Sequence, residues 1–462
     1  MINKLKHELD LIYSDQAAPI DDTISVILCF NERPFTTPPP LTDGVYWRSP
    51  QGESRLLALN SGWSRESRGR DRFRDAERQL ESLTSSWGIF DPEENGASPR
   101  LLFQYAFSED DPMENEWHGF PNTLLLLPRL QLINQHGRQS IIFSHETGGF
   151  SSEEIISHWK DDIAKLRELT DNYPPVGSSP SSIISSDQSL GHALPMFREA
   201  ITAIQSQDRQ PPLEKLVLGE QQRFHLSNQI TTERTLKSLE RSSPTSAQFA
   251  FCQQGRCFIA APPERLFLKK GRKIYSDALA GTLPRGDNRA DESRLSHQLV
   301  TDPKLHHEHQ LVVDATIAAL TPLCSEIDTP PAPVIRKLDN IQHLLTSIEG
   351  RLQKGDDEQE VSIFDLIAKL HQSPAICGSP KEESYLWLQQ HHNSNRGGYC
   401  GGAGWIDPAG DGEIHVLLRC AMVEEEQATL YAGAGIVDGS VAEDELSEIR
   451  LKIQGMLNAL SA

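Results

Sequence analysis

Positive charge is scarce in this chain: 44 Lys and Arg face 65 Asp and Glu, a formal net charge of -21 over 462 residues. That shortage argues against a nucleic-acid binder, whose phosphate contacts need clustered cations. Small anionic ligands stay open, because a few local cations outweigh the global field. Long apolar runs are missing too. The longest, Thr123 to Leu127, stops at Pro128-Arg129, far short of the ~20 residues a membrane-spanning helix needs. Lys4, Lys6, Glu8 and Asp10 fall where a signal peptide would be apolar, so no export is expected. The seven cysteines (Cys29, Cys252, Cys257, Cys324, Cys377, Cys400 and Cys420) include no CxxC pair. Neither a zinc knuckle nor a disulfide framework is expected, and buried free thiols in a reducing cytoplasm fit.

What is present is enough for a sizeable core: 37% of residues are apolar and 24% charged, which excludes global disorder. Residues 1–175 read as strands and one helix with no catalytic signature. Val45 to Arg48, Arg55 to Leu59, Leu101 to Phe107 and Leu124 to Ile133 predict strands. Ile155, Ile156, Trp159, Ile163, Leu166 and Leu169 recur at helical spacing and predict a helix over 153–172. A Pro- and Ser-rich connection, 174–189, follows. Residues 190–462 have a different texture. A helix is predicted near 192–207 and strands at 215–218, 248–252, 257–261, 265–269 and 273–279. The stretch 289–320 reads as helical, 399–406, 413–422 and 429–437 as antiparallel strands, and the chain closes on a helix. Adjacent strands mixed with helices favour an α+β architecture over a doubly wound parallel sheet.

Some polar residues sit where apolar ones belong. Glu308 falls in the middle of the arc formed by Leu305, Leu311, Val312, Ala315 and Ala319. A buried carboxylate is costly unless it is paired or bound to a metal, and either would satisfy it. His306, His307 and His309 form neither HExxH nor HxxEH, so a zinc hydrolase is not indicated. Ser440 and Glu443 have the spacing of a capping box for the last helix. Glu448 and Lys452 stand at i and i+4 along the edge of its apolar stripe, the spacing of an ordinary surface pair. Gly401-Gly402-Ala403-Gly404 and Gly433-Ala434-Gly435 imply tight turns or close backbone approach. Neither has the spacing of a dinucleotide site.

Read in order, these segments resemble the chorismate-binding enzymes: isochorismate, salicylate, anthranilate and aminodeoxychorismate synthases. The likeness runs from about residue 190 to 462. It comprises Lys215-Leu216-Val217-Leu218, Pro263-Glu264-Arg265-Leu266, Ala278 to Gly286, Glu308-His309, Gln342-His343-Leu344, Leu370-His371 with Pro374, Arg396-Gly397 with Tyr399, Arg419, Tyr431 to Val437, and Glu448 with Lys452. Tyr46-Trp47 and Leu127-Pro128-Arg129 extend it into the N-terminal part, closer to the longer, menaquinone-type isochorismate synthases. The fold this implies is one large chorismate-binding domain, α+β, with antiparallel sheets packed face to face and helices outside.

The resemblance also implies roles. Glu308 and Glu448 correspond to the carboxylates that hold Mg2+, a hard cation preferring oxygen. Tyr399, Arg419 and the backbone N–H of Gly435 correspond to the clamp on the enolpyruvyl carboxylate, a task suited to a guanidinium fork. Ala280, Gly281, Thr282, His343 and Lys452 complete the substrate site. Lys215 stands where the water-using branch has its base, and Glu264 where it has its acid. Ala280 replaces the lysine of many aminodeoxychorismate synthases, leaving room for water. The implied reaction is conversion of chorismate to isochorismate in a cytoplasmic, monomeric isomerase with no obligatory protein partner. Salicylate synthase, which goes on to eliminate pyruvate, and a non-catalytic chorismate-binding protein remain alternatives. Departures from the family pattern are Glu220 for arginine, Pro262 for Ser or Thr, Cys377 for glycine and Gly398 for a bulky residue.

Overall fold

The structure is a computed structural model that describes residues 1–14, 22–30, 35–171, 180–187, 190–206, 210–286, 288–354 and 360–462. Among these residues it forms ten α-helices and 21 strands. Of the 174–189 connection only 180–187 is described, and the predicted helix ends at 172 and 207 lie outside the described residues.

Strand pairing is antiparallel throughout the described residues, except between Thr23–Cys29 and Trp87–Phe90. The pairings form one ladder. It runs from Lys215–Leu226 through Gln427–Val437, Cys420–Glu424, Arg256–Ala260, Gln248–Gln253, Gly44–Arg48 and Ser54–Ser67 to Thr123–Gln135. There it divides. One branch takes Arg138–Glu146 and Thr23–Cys29. The other passes through Leu101–Tyr105, Gly402–Ile406, Gly412–Val416, Arg265–Lys270 and Lys273–Pro284 to Ile341–Leu352. Strands from before and after the connection therefore share hydrogen bonds. The ladder folds back on itself into two layers: Trp47 on one arm meets Trp405 on the other edge to face at 6.5 Å, and one cavity is lined by residues of both ends. Helices cover the outside. Ala442–Leu460 packs on Gln427–Val437, and Pro303–Leu320 on Lys273–Pro284.

Several sequence expectations need correction. The first part holds three helices, not one: Ile2–Ser14 and Arg72–Ser85 join Ser152–Asp171. Arg72–Ser85 buries only Arg72, Ala76 and Leu83, too sparse a stripe to signal itself. The 289–320 stretch breaks at Asp302-Pro303, where Asp302 accepts from the N–H groups of Lys304 and Leu305 and starts a second helix. The 413–422 stretch is two strands, Gly412–Val416 and Cys420–Glu424. The Ser440–Glu443 capping box does not form: the helix begins at Ala442, Ser440 accepts from Val437 N at 3.1 Å, and Glu443 pairs with Arg198 at 2.7 Å.

The cysteine expectation is corrected as well. Cys252 and Cys257 are direct cross-strand partners in the hairpin of Gln248–Gln253 and Arg256–Ala260 and form a disulfide. A search for CxxC spacing misses such a pair, because a tight hairpin brings residues five apart into register. Cys324, Cys377, Cys400 and Cys420 are buried free thiols, while Cys29 is exposed.

Candidate active site

A cavity opens between the Lys215 strand, the Gly435 strand and the bulged strand carrying Ala280. Eleven of the twelve residues singled out from the sequence line it; Glu448 is the exception. Residues as far apart as Lys215 and Lys452 thus share one wall.

The chemical centre is buried. Lys215, 1% exposed, opens its strand and donates from Nζ to Glu308 Oε1 at 3.0 Å. Glu308 comes from the helix Pro303–Leu320, whose buried face is Leu305, His309, Val312, Val313, Thr316 and Leu320; of the expected arc only Leu305 and Val312 are buried, while Leu311, Ala315 and Ala319 are half-buried. Burial raises the pKa of its carboxyl, but Lys215, Lys452 and Lys304 together overcome that and hold it below the ordinary value. Glu264, 3% exposed, sits just ahead of the strand Arg265–Lys270. Burial, reinforced by the nearby charge of Asp277 and opposed by Lys215, pushes its pKa up to about 8. At neutral pH this carboxyl is a proton donor.

Gly435 sits beside the pair. A Cβ built there would lie 2.7 Å from Glu308 Oε1 and 2.8 Å from Lys215 Cε. Space for the Lys215–Glu308 pair, besides any approach by substrate, requires this glycine. Opposite it, Val217 donates to Cys377 O and accepts from Arg396, so its backbone bonds point away from the Gly435 strand. In an antiparallel ladder the N–H of the facing residue then points outward as well, here to the side of the strand where Lys452 bonds Gly433 O.

The opposite wall is cationic. Arg419, at a left-handed φ of 52°, donates to His343 Nε2 at 3.2 Å and to Lys452 O at 3.3 Å. Burial pulls the guanidinium pKa down to about 10, still charged at neutral pH. Burial first, then Arg419 and Lys452, keep His343 neutral. With Arg419 donating to Nε2, the His343 proton is on Nδ1, within reach of Thr282 Oγ1 at 3.2 Å and Gly281 O at 3.3 Å. The register shift between Ala280 and Thr282, with Gly281 at φ +71°, turns these groups toward the histidine. Tyr399, 4% exposed, stacks on Tyr431 with centroids 5.7 Å apart.

Glu448 lies one layer behind the wall, its Oε1 2.5 Å from the Nζ of Lys452, which also donates to Gly433 O at 2.8 Å. This pair, expected at the surface, is half-buried beside the cavity. Lys304 pairs with Glu445 at 2.7 Å and is further held in its charged form by Glu308 and Glu448. Among the described residues, no three His, Cys, Asp or Glu side chains converge on a common metal position. Each of Glu308, Glu445 and Glu448 instead has an ammonium partner, in Lys215, Lys304 and Lys452, and all three carboxylates act on Lys304, so carboxylates and lysines make up one charged, oxygen-rich corner. Such a donor set fits a hard divalent ion held by one or two carboxylates plus water and substrate.

Sequence reasoning missed Lys304, Glu445 and Asp277, and gave Tyr431 only as part of a family segment, without a role. Glu445, one turn before Glu448 on a helix already flagged, was within reach of helical spacing. The family departures have local explanations. Gly398 leaves space that Trp117 fills, its ring 3.0 Å from where a Cβ would stand. Glu220 faces His192 at 3.5 Å. Cys377 is fully buried. Nothing in the structure explains Pro262.

Fold and cavity together bring a buried acid, a buried amine and a cationic wall into one enclosed site. The chain belongs to the chorismate-binding enzymes, matching the family described as chorismate binding enzyme over residues 24–461. It is 29% identical to the isochorismate synthase MenF of Bacillus subtilis over 90% of this chain and 87% of that protein. It is 30% identical to the salicylate biosynthesis isochorismate synthase of Pseudomonas aeruginosa over 91% of this chain and 85% of that one. The structure of MenF, the menaquinone-specific isochorismate synthase from Escherichia coli, superposes with a TM-score of 0.77 at 22% identity, covering 99% of both chains. That likeness extends the shared fold to the whole chain.

Proposed function

We propose that the protein is an isochorismate synthase, an isomerase that moves the hydroxyl of chorismate from ring carbon 4 to ring carbon 2 with water as nucleophile. The observation that carries this reading is the buried lysine Lys215 sharing a cavity with Glu264, a carboxyl kept protonated by its surroundings. Lys215 takes a proton from water as it attacks carbon 2. Glu264 gives its proton to the hydroxyl leaving carbon 4, and the ring double bonds shift between the two centres. A lysine serves as a base only when neutral. Acid and base each contribute roughly 100- to 10,000-fold.

Tyr399, Arg419 and the Gly435 N–H bind the enolpyruvyl carboxylate, with His343 fixing the guanidinium. Holding the ring between two anchored carboxylates adds several kcal/mol through orientation (about 7–11 kcal/mol is the ceiling for such effects). Glu308 and Glu448 would hold Mg2+. When bound, the ion supplies positive charge against the ring carboxylate.

No helix among the described residues is long and apolar enough to cross a membrane. We place the enzyme in the cytoplasm, as a monomer without an obligatory protein partner. Its product feeds menaquinone synthesis, with siderophore or salicylate synthesis as the alternative destination. Incubation with chorismate and Mg2+, with products resolved by chromatography and pyruvate followed through lactate dehydrogenase, tests the assignment. Isochorismate without pyruvate is expected. Pyruvate release would make it a salicylate synthase, and no turnover would leave a binding protein.

A further inference from the structure

We propose that Glu116 and Tyr431 form a positioning pair that sets the affinity of the cavity for the enolpyruvyl carboxylate by holding the ring of Tyr399. The inference rests on the isochorismate synthase reading and adds to it a contribution from the N-terminal half, which carries no catalytic signature of its own.

Tyr431 lines the cavity, and its ring stacks on Tyr399 with an interplanar angle of 21°. Its hydroxyl donates to Glu116 Oε1 at 2.6 Å. Burial and the adjacent Glu116 push the ionisation of this phenol far above its ordinary range, so it stays a donor. A phenol bonded at its tip and stacked on its face has no freedom to tilt, and a parallel neighbour is held with it.

Glu116 is itself fixed. It belongs to the short turn Asn115–Trp117, whose carbonyls at Glu116 and His118 accept from Arg256 at 3.3 and 2.6 Å. Gln253 donates to Gly119 O at 2.7 Å. Arg223 lies 3.9 Å from the second carboxylate oxygen.

The same segment grips the turn that carries Tyr399. Phe107 N donates to Gly397 O at 3.0 Å, and Gly397 N donates to Asp111 Oδ2 at 2.8 Å. Trp117 lies flat on that turn, so close that a Cβ at Gly397 would sit 2.2 Å from its ring. The Trp117 centroid is also 5.7 Å from that of Tyr431. Two routes, one through Glu116 and Tyr431 and one through the 396–400 turn, therefore end on one tyrosine.

Steady-state kinetics on the full-length enzyme tests the pair. Tyr431→Phe keeps the stack and removes only the bond to Glu116. It should raise KM for chorismate about tenfold, the loss of one hydrogen bond to a charged group, with kcat within about twofold. Glu116→Gln, which keeps an acceptor, should restore most of the affinity that Glu116→Leu loses. Glu116→Leu combined with Tyr431→Phe should be no worse than either alone, because both break one interaction. A purely structural role would lower the melting temperature and leave the ratio of KM to kcat unmoved. Unchanged KM in Tyr431→Phe, or additive effects in the double variant, would overturn the pair while wild-type turnover stands. A wild type that makes no isochorismate would instead remove the reading beneath it.

Discussion

Lys215 Nζ and Glu308 Oε1 meet at 3.0 Å across the junction of a strand and a helix, the amine fully buried. This contact joins the candidate base to a candidate metal ligand, so proton transfer and cation binding share one residue pair. Lys215→Gln keeps a hydrogen-bond donor for Glu308 but cannot take a proton from water. Turnover should drop at least about a hundredfold while chorismate binding, measured by calorimetry, changes little. Near-normal turnover would refute the assignment of the base.

Glu264 gives the reaction its pH dependence. Buried and facing Asp277, it titrates at about 8, and the reaction needs its protonated form. The rate governed by this group should be flat below neutrality and fall as pH rises through about 8. Stability should move in the same direction. The folded-state pKa lies above the unfolded one, so the neutral carboxyl's contribution is complete below the ordinary carboxylate range and is lost progressively up to about 8. Asp277→Asn removes a negative neighbour and should shift the alkaline limb of kcat/KM to lower pH. A limb that stays in place would show that burial alone sets the value.

What the sequence reveals follows from how far each contact reaches. Glu308 is legible because a carboxylate in an apolar helical arc violates burial chemistry within a few residues. The segments at Lys215, Ala278 to Gly286 and Tyr431 to Val437 are legible through family likeness, and ten of the predicted residues besides Glu308 line the same cavity. The contact between Glu116 and Tyr431 is not legible: the two stand 315 positions apart, and although Tyr431 opens a family segment, nothing local marks Glu116 as its partner. The Cys252–Cys257 disulfide depends on hairpin register, not on a metal-type spacing. Helix Arg72–Ser85 hides because its side chains are mostly polar and little of it is buried.

Removal of the metal offers a separate check. Chelation should abolish turnover, and added Mg2+ should restore it, since the anionic corner of Glu308, Glu445 and Glu448 is otherwise satisfied only by lysines. Glu448→Gln should raise the Mg2+ concentration for half-maximal rate by about tenfold or more. It also frees Lys452 from its carboxylate partner. A change in KM for chorismate without a change in Mg2+ requirement would therefore reassign Glu448 to holding that lysine.

Gly435→Ala tests how tightly the centre is packed. The new methyl would stand 2.7 Å from Glu308 Oε1 and 2.8 Å from Lys215 Cε, closer than non-bonded atoms tolerate. Glu308 is anchored on a long helix and Lys215 on a central strand, so the side chains must swing apart. Such overpacking costs about 1–3 kcal/mol of stability, small enough for the enzyme to fold. The loss of geometry should be far larger in rate, about a hundredfold for a displacement near 1 Å. Equal, modest losses in kcat and stability would mean that the pair tolerates displacement, and that its observed contact is not the arrangement the reaction uses.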